Sequence, residues 1–326
     1  MNLIVQKYGG SSVKSKEALN IVCKNIIKTK ETNSNVLVVV SAQGNTTNEL
    51  ISKAKEYTND NITSKKDLDF LLSTGEMQTA ALLSLMLNSK GYDSVCLNGL
   101  QSGIITTSEY GNAKITNIIN DNLLCYLKEG KIIIITGFQG IDKFGNITTL
   151  GRGGSDLTAV AIASSLNANK CEIYSDIDGI FSTDPKVIEN AKLLNSISYD
   201  EMIEASSNGA KVLHNRCVNL AKKYNLKKNK KNTYKDSKGT TVQDISEDLN
   251  VHFITKKENL TKISIVGSLL NENSNVLKTI YTQADLLNVK IHMITINESI
   301  INLLVDKEIA NTYMQRLHEV LIIKEE

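Results

Sequence analysis

VLVVVSAQGNTTN, residues 36–48, decides the reading of the fold. Five consecutive apolar residues, four of them β-branched, are the mark of a strand buried on both faces. The run breaks into a polar loop at Ser41. A second stretch, IIIITGFQG at 132–140, repeats the pattern. Outward from these, Asn2–Gln6 reads as a short strand followed by a turn at Gly9 and Gly10. Ser15–Lys30 then places Ala18, Ile21, Val22 and Ile26 at helical spacing. Strands alternating with helices imply an open, mainly parallel α/β sheet sandwiched by helices, with ligands gathered at the loops beyond the strand carboxyl ends.

The last quarter has a separate rhythm. Lys262–Val266 alternates as a strand and Asn273–Leu287 is helical. Lys290–Ile296 and Ser299–Val305 form a strand pair about a turn at Asn297–Glu298. Lys307–His318 is a helix and Val320–Ile323 a final strand. That order is β-α-β-β-α-β, a ferredoxin-like unit. The expected domains are 1–245 and 246–326, with Gly239–Asp248 as a closing strand and connector. A length of 326 residues suits two domains and makes three tight.

Composition narrows the function. Lys plus Arg is 37 against 35 Asp plus Glu, a net of +2 that gives no general pull toward nucleic acid or membrane. The 5 cysteines include no C-x-x-C pair, which disfavours a disulfide framework or zinc knuckle. No secretory signal or membrane-length apolar run is read, so a cytoplasmic location is expected. Residues 222–235 hold 7 lysines; without interleaved aromatics, a solvated surface segment is the expectation rather than a nucleic-acid patch.

Three clusters carry candidate chemistry. KYGGSS, Lys7–Ser12, joins a strand to a helix, where glycine N–H groups can approach phosphates and a lysine can reach the β- and γ-phosphates. It is not a Walker A loop. TTLGRGGSDLTA, Thr148–Ala159, precedes a helix; Ser155 or Asp156 could simply cap it, but Arg152 among glycines is suited to fork onto a carboxylate. YSDIDGIFSTDPK, Tyr174–Lys186, reads either as turn chemistry or as the edge of a nucleotide site.

Together with STGE at 73–76, GLQSGI at 99–104 and ISYDEMIEASSNGAKVLH at 197–214, these clusters resemble the aspartate kinases of the amino-acid kinase family over about residues 2–245. TKISIVG and IHMITINESIINLLVD resemble an ACT domain. The resemblance implies transfer of the ATP γ-phosphoryl group to the β-carboxylate of L-aspartate, giving 4-phospho-L-aspartate at the head of the lysine, threonine and methionine (diaminopimelate) branch. It implies Lys7 and Asp156 as catalytic residues. Lys7, Tyr8, Gly9, Gly10, Ser11, Ser175, Asp176, Phe181, Ser182, Asp184, Pro185, Lys186 and Lys211 would meet ATP. Ser41, Thr47, Glu76, Arg152, Gly153, Gly154 and Ser155 would meet aspartate. Mg²⁺ would arrive with ATP rather than in a protein-built cage.

Four departures from the family pattern stand out: Ser11–Ser12 for T-S, Thr107 and Ser108 for acidic residues, His214–Asn215–Arg216 for H-P-R, and NLKKNKKNTYKDSKGT at 225–240 for an apolar strand. In that last segment only Leu226 suits burial, so a strand there would be poorly anchored. The tail also has room for one ACT-like unit where such kinases usually carry two, and reads SLLNEN after I-V-G. A homodimer or higher oligomer with weak or absent feedback by lysine or threonine is therefore expected. The competing readings are an acetylglutamate kinase-like enzyme and a catalytically impaired homologue that senses amino acids.

Overall fold

A computed structural model describes residues 2–210, 212–224, 226, 228–235, 237–244 and 251–323. The chain divides into two compact units, residues 1–255 and 256–326. The boundary expected at 245/246 lies outside the described residues.

In the first unit the elements run β1 (Leu3–Tyr8), α1 (Lys16–Lys30), β2 (Asn35–Val40), α2 (Thr46–Tyr57), α3 (Lys65–Asn88), β3 (Ser94–Leu97), β4 (Ile104–Thr106), β5 (Ile115–Ile118), α4 (Asp121–Lys128), β6 (Ile132–Thr136), β7 (Gln139–Ile141) and β8 (Ile147–Thr149). There follow α5 (Gly154–Ser165), β9 (Lys170–Ser175), β10 (Ser196–Ser198), α6 (Tyr199–Ser207), α7 (Asn215–Lys223), β11 (Lys228–Asn232) and β12 (Thr240–Gln243). The main sheet has the order β10-β12-β11-β9-β1-β2-β6-β3 and is parallel from β11 to β3. β12 runs antiparallel to β11. A smaller sheet, β5-β4-β7-β8, stands beside it.

The aliphatic runs do what their composition requires. Val36, Val38 and Val40 of β2 pack with Ile132 and Ile134 against α1 and α3. Leu37, Val39, Ile133 and Ile135 face the other way, into a core closed by α4, α5, α6 and α7. Burial on both faces explains why these strands read as unbroken apolar runs. Helix α3 is long and apolar enough to cross a membrane by length and composition, with half of the qualifying window buried inside the unit. It packs in the core of this unit, an apolar helix of membrane-spanning length where the sequence reading expects none.

The lysine-rich stretch corrects its expectation. Lys222, Lys223 and Lys235 are exposed, but Lys228–Asn232 forms β11, hydrogen-bonded between β9 and β12. Its inward side chains are Lys228, Lys230 and Asn232, only 1%, 5% and 5% exposed. Polar partners take the place of apolar contact: the Lys228 ammonium donates to Cys217 Sγ at 2.5 Å and Lys230 Nζ to the Val212 carbonyl at 2.9 Å. Lys227 lies outside the described residues.

The second unit runs β13 (Leu260–Val266), α8 (Ser274–Leu286), β14 (Ile291–Ile296), β15 (Ile300–Asp306) and α9 (Lys307–His318). Its sheet order is β13-β15-β14, antiparallel throughout, with the Asn297 N–H closing the expected turn onto the Ile300 carbonyl at 2.9 Å. The expected last strand is absent here. Glu319–Ile323 continues α9 as a π-helical turn, pinned by Arg316 and Gln315 reaching Glu319. A short apolar run such as VLII is compatible with either state. These contacts select the helix and leave Ile322 and Ile323 exposed.

Candidate active site

The carboxyl ends of β9, β1, β2 and β6 align, with Tyr174 beside Tyr8, Tyr8 beside Val40 and Val40 beside Thr136. The loops that leave these ends therefore share one edge. From β1 comes Lys7, whose Nζ lies 2.6 Å from Asp156 Oδ1 in the first turn of α5. Burial opposes a charge on Asp156. The Lys7 ammonium, with Lys228 and Lys230 behind it, nonetheless holds that carboxyl below its usual range.

Neither Ser155 nor Asp156 caps α5. The N-cap is Gly153, in the left-handed region at φ +74°, and it makes no side-chain cap bond. A β-carbon there would stand 2.8 Å from His214 Cβ, so the turn needs glycine for both conformation and room. The Gly154 N–H turns back to the Gly151 carbonyl at 3.0 Å, and no side chain caps the N–H groups of this 12-residue helix.

Arg152, just before it, is exposed. Its guanidinium makes no hydrogen bond or ion pair among the described residues. Its backbone is held from behind by Arg216, which donates to the carbonyls of Leu150 at 2.7 Å and Arg152 at 3.1 Å, and to Asn112 Oδ1 at 3.2 Å. The substitution of H-P-R by His214–Asn215–Arg216 thus keeps the arginine that braces this loop.

On the opposite wall stands α3. Gly75 touches the loop after β2, where a β-carbon would meet Ala42 Cβ at 2.8 Å. This approach lets Glu76 Oε1 accept the Ala42 N–H at 3.0 Å. Glu76 Oε2 is buried and has no hydrogen-bond partner among the described residues. Burial raises this carboxyl to about 7, against two backbone hydrogen bonds that favour its ionised form. Ser41 and Thr47 lie in and just after the same loop, both half-buried.

Two helical turns before Glu76 is Asp69, a residue missed in the sequence. It is 1% exposed and accepts from Thr149 N at 2.7 Å, Thr149 Oγ1 at 2.7 Å and Gly111 N at 2.9 Å. The seven-residue spacing to Glu76, on one face of one helix, was the signal that could have found it.

The nucleotide-side residues divide. Gly9, Gly10 and Ser11 follow Lys7 directly, and Tyr234 donates its hydroxyl to the Ser11 carbonyl. Ser175 ends β9 next to them, with exposed Asp176 behind it. Tyr8 contributes only backbone to this edge. Its ring is fully buried on the other face of the sheet, stacked on Tyr174 at 4.7 Å. Phe181 bridges Leu193, Ser182 accepts from Lys192 N, and Asp184, Pro185 and Lys186 form an exposed turn closed by Asp184 Oδ1. Lys211 lies outside the described residues. Among those described, no group of three His, Cys, Asp or Glu side chains is arranged to hold a metal.

A Lys–Asp pair at an open helix N-terminus, with glycine loops from adjacent parallel strands, is suited to binding and transferring a phosphoryl group. Comparison with known proteins agrees. Residues 2–228 match the model of the amino acid kinase family. An aspartokinase of Bacillus sp. (strain MGA3) is 44% identical over 285 residues, 86% of this chain and 68% of the relative. Aspartokinase 2 of Bacillus subtilis is 43% identical over 297 residues, 90% of this chain and 72% of the relative. Among solved structures, E. coli aspartokinase III in complex with aspartate and ADP superposes with a TM-score of 0.78 at 25% identity, over 94% of this chain and 79% of that one. The chain belongs to the amino acid kinase family, and within it to the aspartokinases.

Proposed function

We infer that this chain transfers the γ-phosphoryl group of ATP to the β-carboxylate of L-aspartate, giving 4-phospho-L-aspartate and ADP. The observation that carries the reading is the Lys7–Asp156 pair, 2.6 Å apart at the uncapped start of α5, in a chain of aspartokinase sequence. An aspartate carboxylate is ionised at neutral pH, so the attack needs no general base. One carboxylate oxygen bonds to the γ-phosphorus as the bond to the β-phosphate oxygen breaks, and ADP leaves with the electron pair. The task of the protein is then positioning and charge neutralisation.

In this reading the Lys7 ammonium neutralises the transferring group, and Asp156 holds that ammonium in place. The N–H groups of Gly9, Gly10 and Ser11 and of the first turn of α5, where Ser155 lies, line the path of the phosphates. Ser175 and Asp176 flank the nucleotide, with Phe181–Lys186 and Lys211 further along it. Arg152 forks onto the aspartate α-carboxylate beside Gly153 and Gly154. The free oxygen of Glu76 accepts from the ammonium, and Ser41 and Thr47 complete the substrate wall. Mg²⁺ enters as part of the nucleotide, since Asp156, the acidic group at the phosphoryl end, is already engaged by Lys7. The reading places the enzyme in the cytoplasm, at the entry to lysine, threonine and methionine synthesis, as a homo-oligomer joined through the second unit.

Hydroxylamine trapping of the acyl phosphate tests it. ATP with aspartate should give hydroxamate, whereas glutamate and N-acetylglutamate should not. Lys7→Ala should lower kcat by about 10²–10³. Product from N-acetylglutamate alone, or full turnover by Lys7→Ala, overturns the assignment.

A further inference from the structure

Two lysines occupy positions of β11 where a sheet normally turns apolar side chains inward. Register shows what they face. Lys230 pairs with Ile173, and Ile173 with Lys7; one row earlier, Lys228 pairs with Cys171, and Cys171 with Val5. Register neighbours in parallel strands point to the same face. Lys7 and Lys230 therefore stand in one row, two strand spacings or about 10 Å apart at the backbone. Lys7 reaches Asp156 in the first turn of α5, and Lys230 reaches the Val212 carbonyl. Three ammonium groups, those of Lys7, Lys228 and Lys230, act on one carboxylate, Asp156. The Glu172 carboxylate does not share the task, because it lies in the alternate register position and pairs with Lys231 at 2.7 Å.

Lys228 donates to the neutral Cys217 thiol and lies two residues further from the strand end that carries the phosphate loops. Among the described residues Lys230 has a single neutral partner, the Val212 carbonyl, for three donor hydrogens. A buried ammonium with so little compensation is costly unless an anion joins it. The uncapped N-terminus of α5 attracts the same kind of charge.

We propose that Lys230 is a phosphate-binding cation of the nucleotide site, a second positive charge that β11 places beside Lys7 for the polyphosphate of a nucleoside di- or triphosphate. This rests on the ATP-dependent reading above and adds a residue to it. Burial lowers the Lys230 ammonium to about 8, with Lys7 and Lys228 adding to the effect and Asp156 and Asp176 opposing it. Arriving phosphates reverse that shift, so nucleotide binding near pH 8.5 is accompanied by proton uptake.

Calorimetric titration of ADP into the full chain at pH 8.5, in two buffers of different ionisation enthalpy, reads both affinity and protons. The wild type should take up a proton on binding. Lys230→Met should bind ADP at least tenfold more weakly with the uptake lost, and bind adenosine as the wild type does. Lys230→Arg, which cannot deprotonate, should bind ADP without uptake, and Lys228→Met should keep the affinity for ADP. Wild-type affinity for ADP in Lys230→Met, or persistent uptake in Lys230→Arg, overturns the proposal. The arginine variant decides the matter if the methionine variant does not fold. A wild-type chain that binds no ADP at all would instead remove the underlying function.

Discussion

Glu76 is the side chain whose behaviour depends most on its surroundings. A carboxyl raised to about 7 by burial is a group whose folded pKa exceeds its unfolded value of 4.5. Between those values the folded state binds more protons than the unfolded one, so stability of the free protein falls as pH rises through that window. An aspartate ammonium beside the free oxygen favours the ionised form and lowers the pKa again. Aspartate should therefore bind more tightly as pH rises from about 6 to about 8, with KM for aspartate falling and a proton released on binding. Glu76→Gln should abolish both the slope and the release. Initial-rate pH profiles for the two proteins check this, and an unchanged slope in the variant would remove Glu76 from the ammonium site. The identity of this residue was readable in the motif STGE. Its unpartnered oxygen was not, because that depends on Gly75 bringing α3 against Ala42 from a distant part of the chain.

At the scale of elements, α3 works as a spacer between loops. It holds the loop after β2 through Glu76 and the end of β8 through Asp69, seven residues apart. Removing the Asp69 carboxylate leaves three donors, two of them backbone, without their acceptor; at about 1–3 kcal/mol each, Asp69→Ala should cost several kcal/mol of stability. The end of β8 leads straight to Arg152, so KM for aspartate should rise about tenfold or more while KM for ATP stays near its wild-type value. Thermal unfolding and a two-substrate kinetic comparison check this. Equal rises in both constants would mean that Asp69 supports the fold alone.

The same scale explains which elements were readable in the sequence. β2 and β6 announce themselves because both of their faces are apolar. β11 does not, since KNKKN satisfies no strand pattern. It forms because β9 and β12 offer hydrogen-bonding edges and because Cys217 and the Val212 carbonyl receive its lysines. The final VLII segment fails in the opposite direction. It looks like a strand, but side-chain bonds from the preceding helix carry it into a π-turn.

For the molecule as a whole, two units with separate cores are established, one catalytic in sequence and one of β-α-β-β-α form. In the second, β13 pairs only with β15 among the described residues. Its other edge, with Val266 exposed, is open to another strand. Sedimentation equilibrium should accordingly give a mass of at least two chains, and millimolar lysine or threonine should leave most of the activity. A monomer at working concentration, or strong inhibition at micromolar lysine, would contradict this picture.

The sequence by itself determined the parallel α/β core and the motifs that mark a carboxylate-phosphorylating kinase. Each of these rests on local information, either an apolar run or a short spacing of glycine with charge. Only the tertiary structure decided that Lys7 meets Asp156, that Asp69 and Arg216 brace the loop bearing Arg152, and that Lys228 and Lys230 point inward. These contacts join residues far apart in the chain, and their partners are set by strand order and register, which no local pattern encodes.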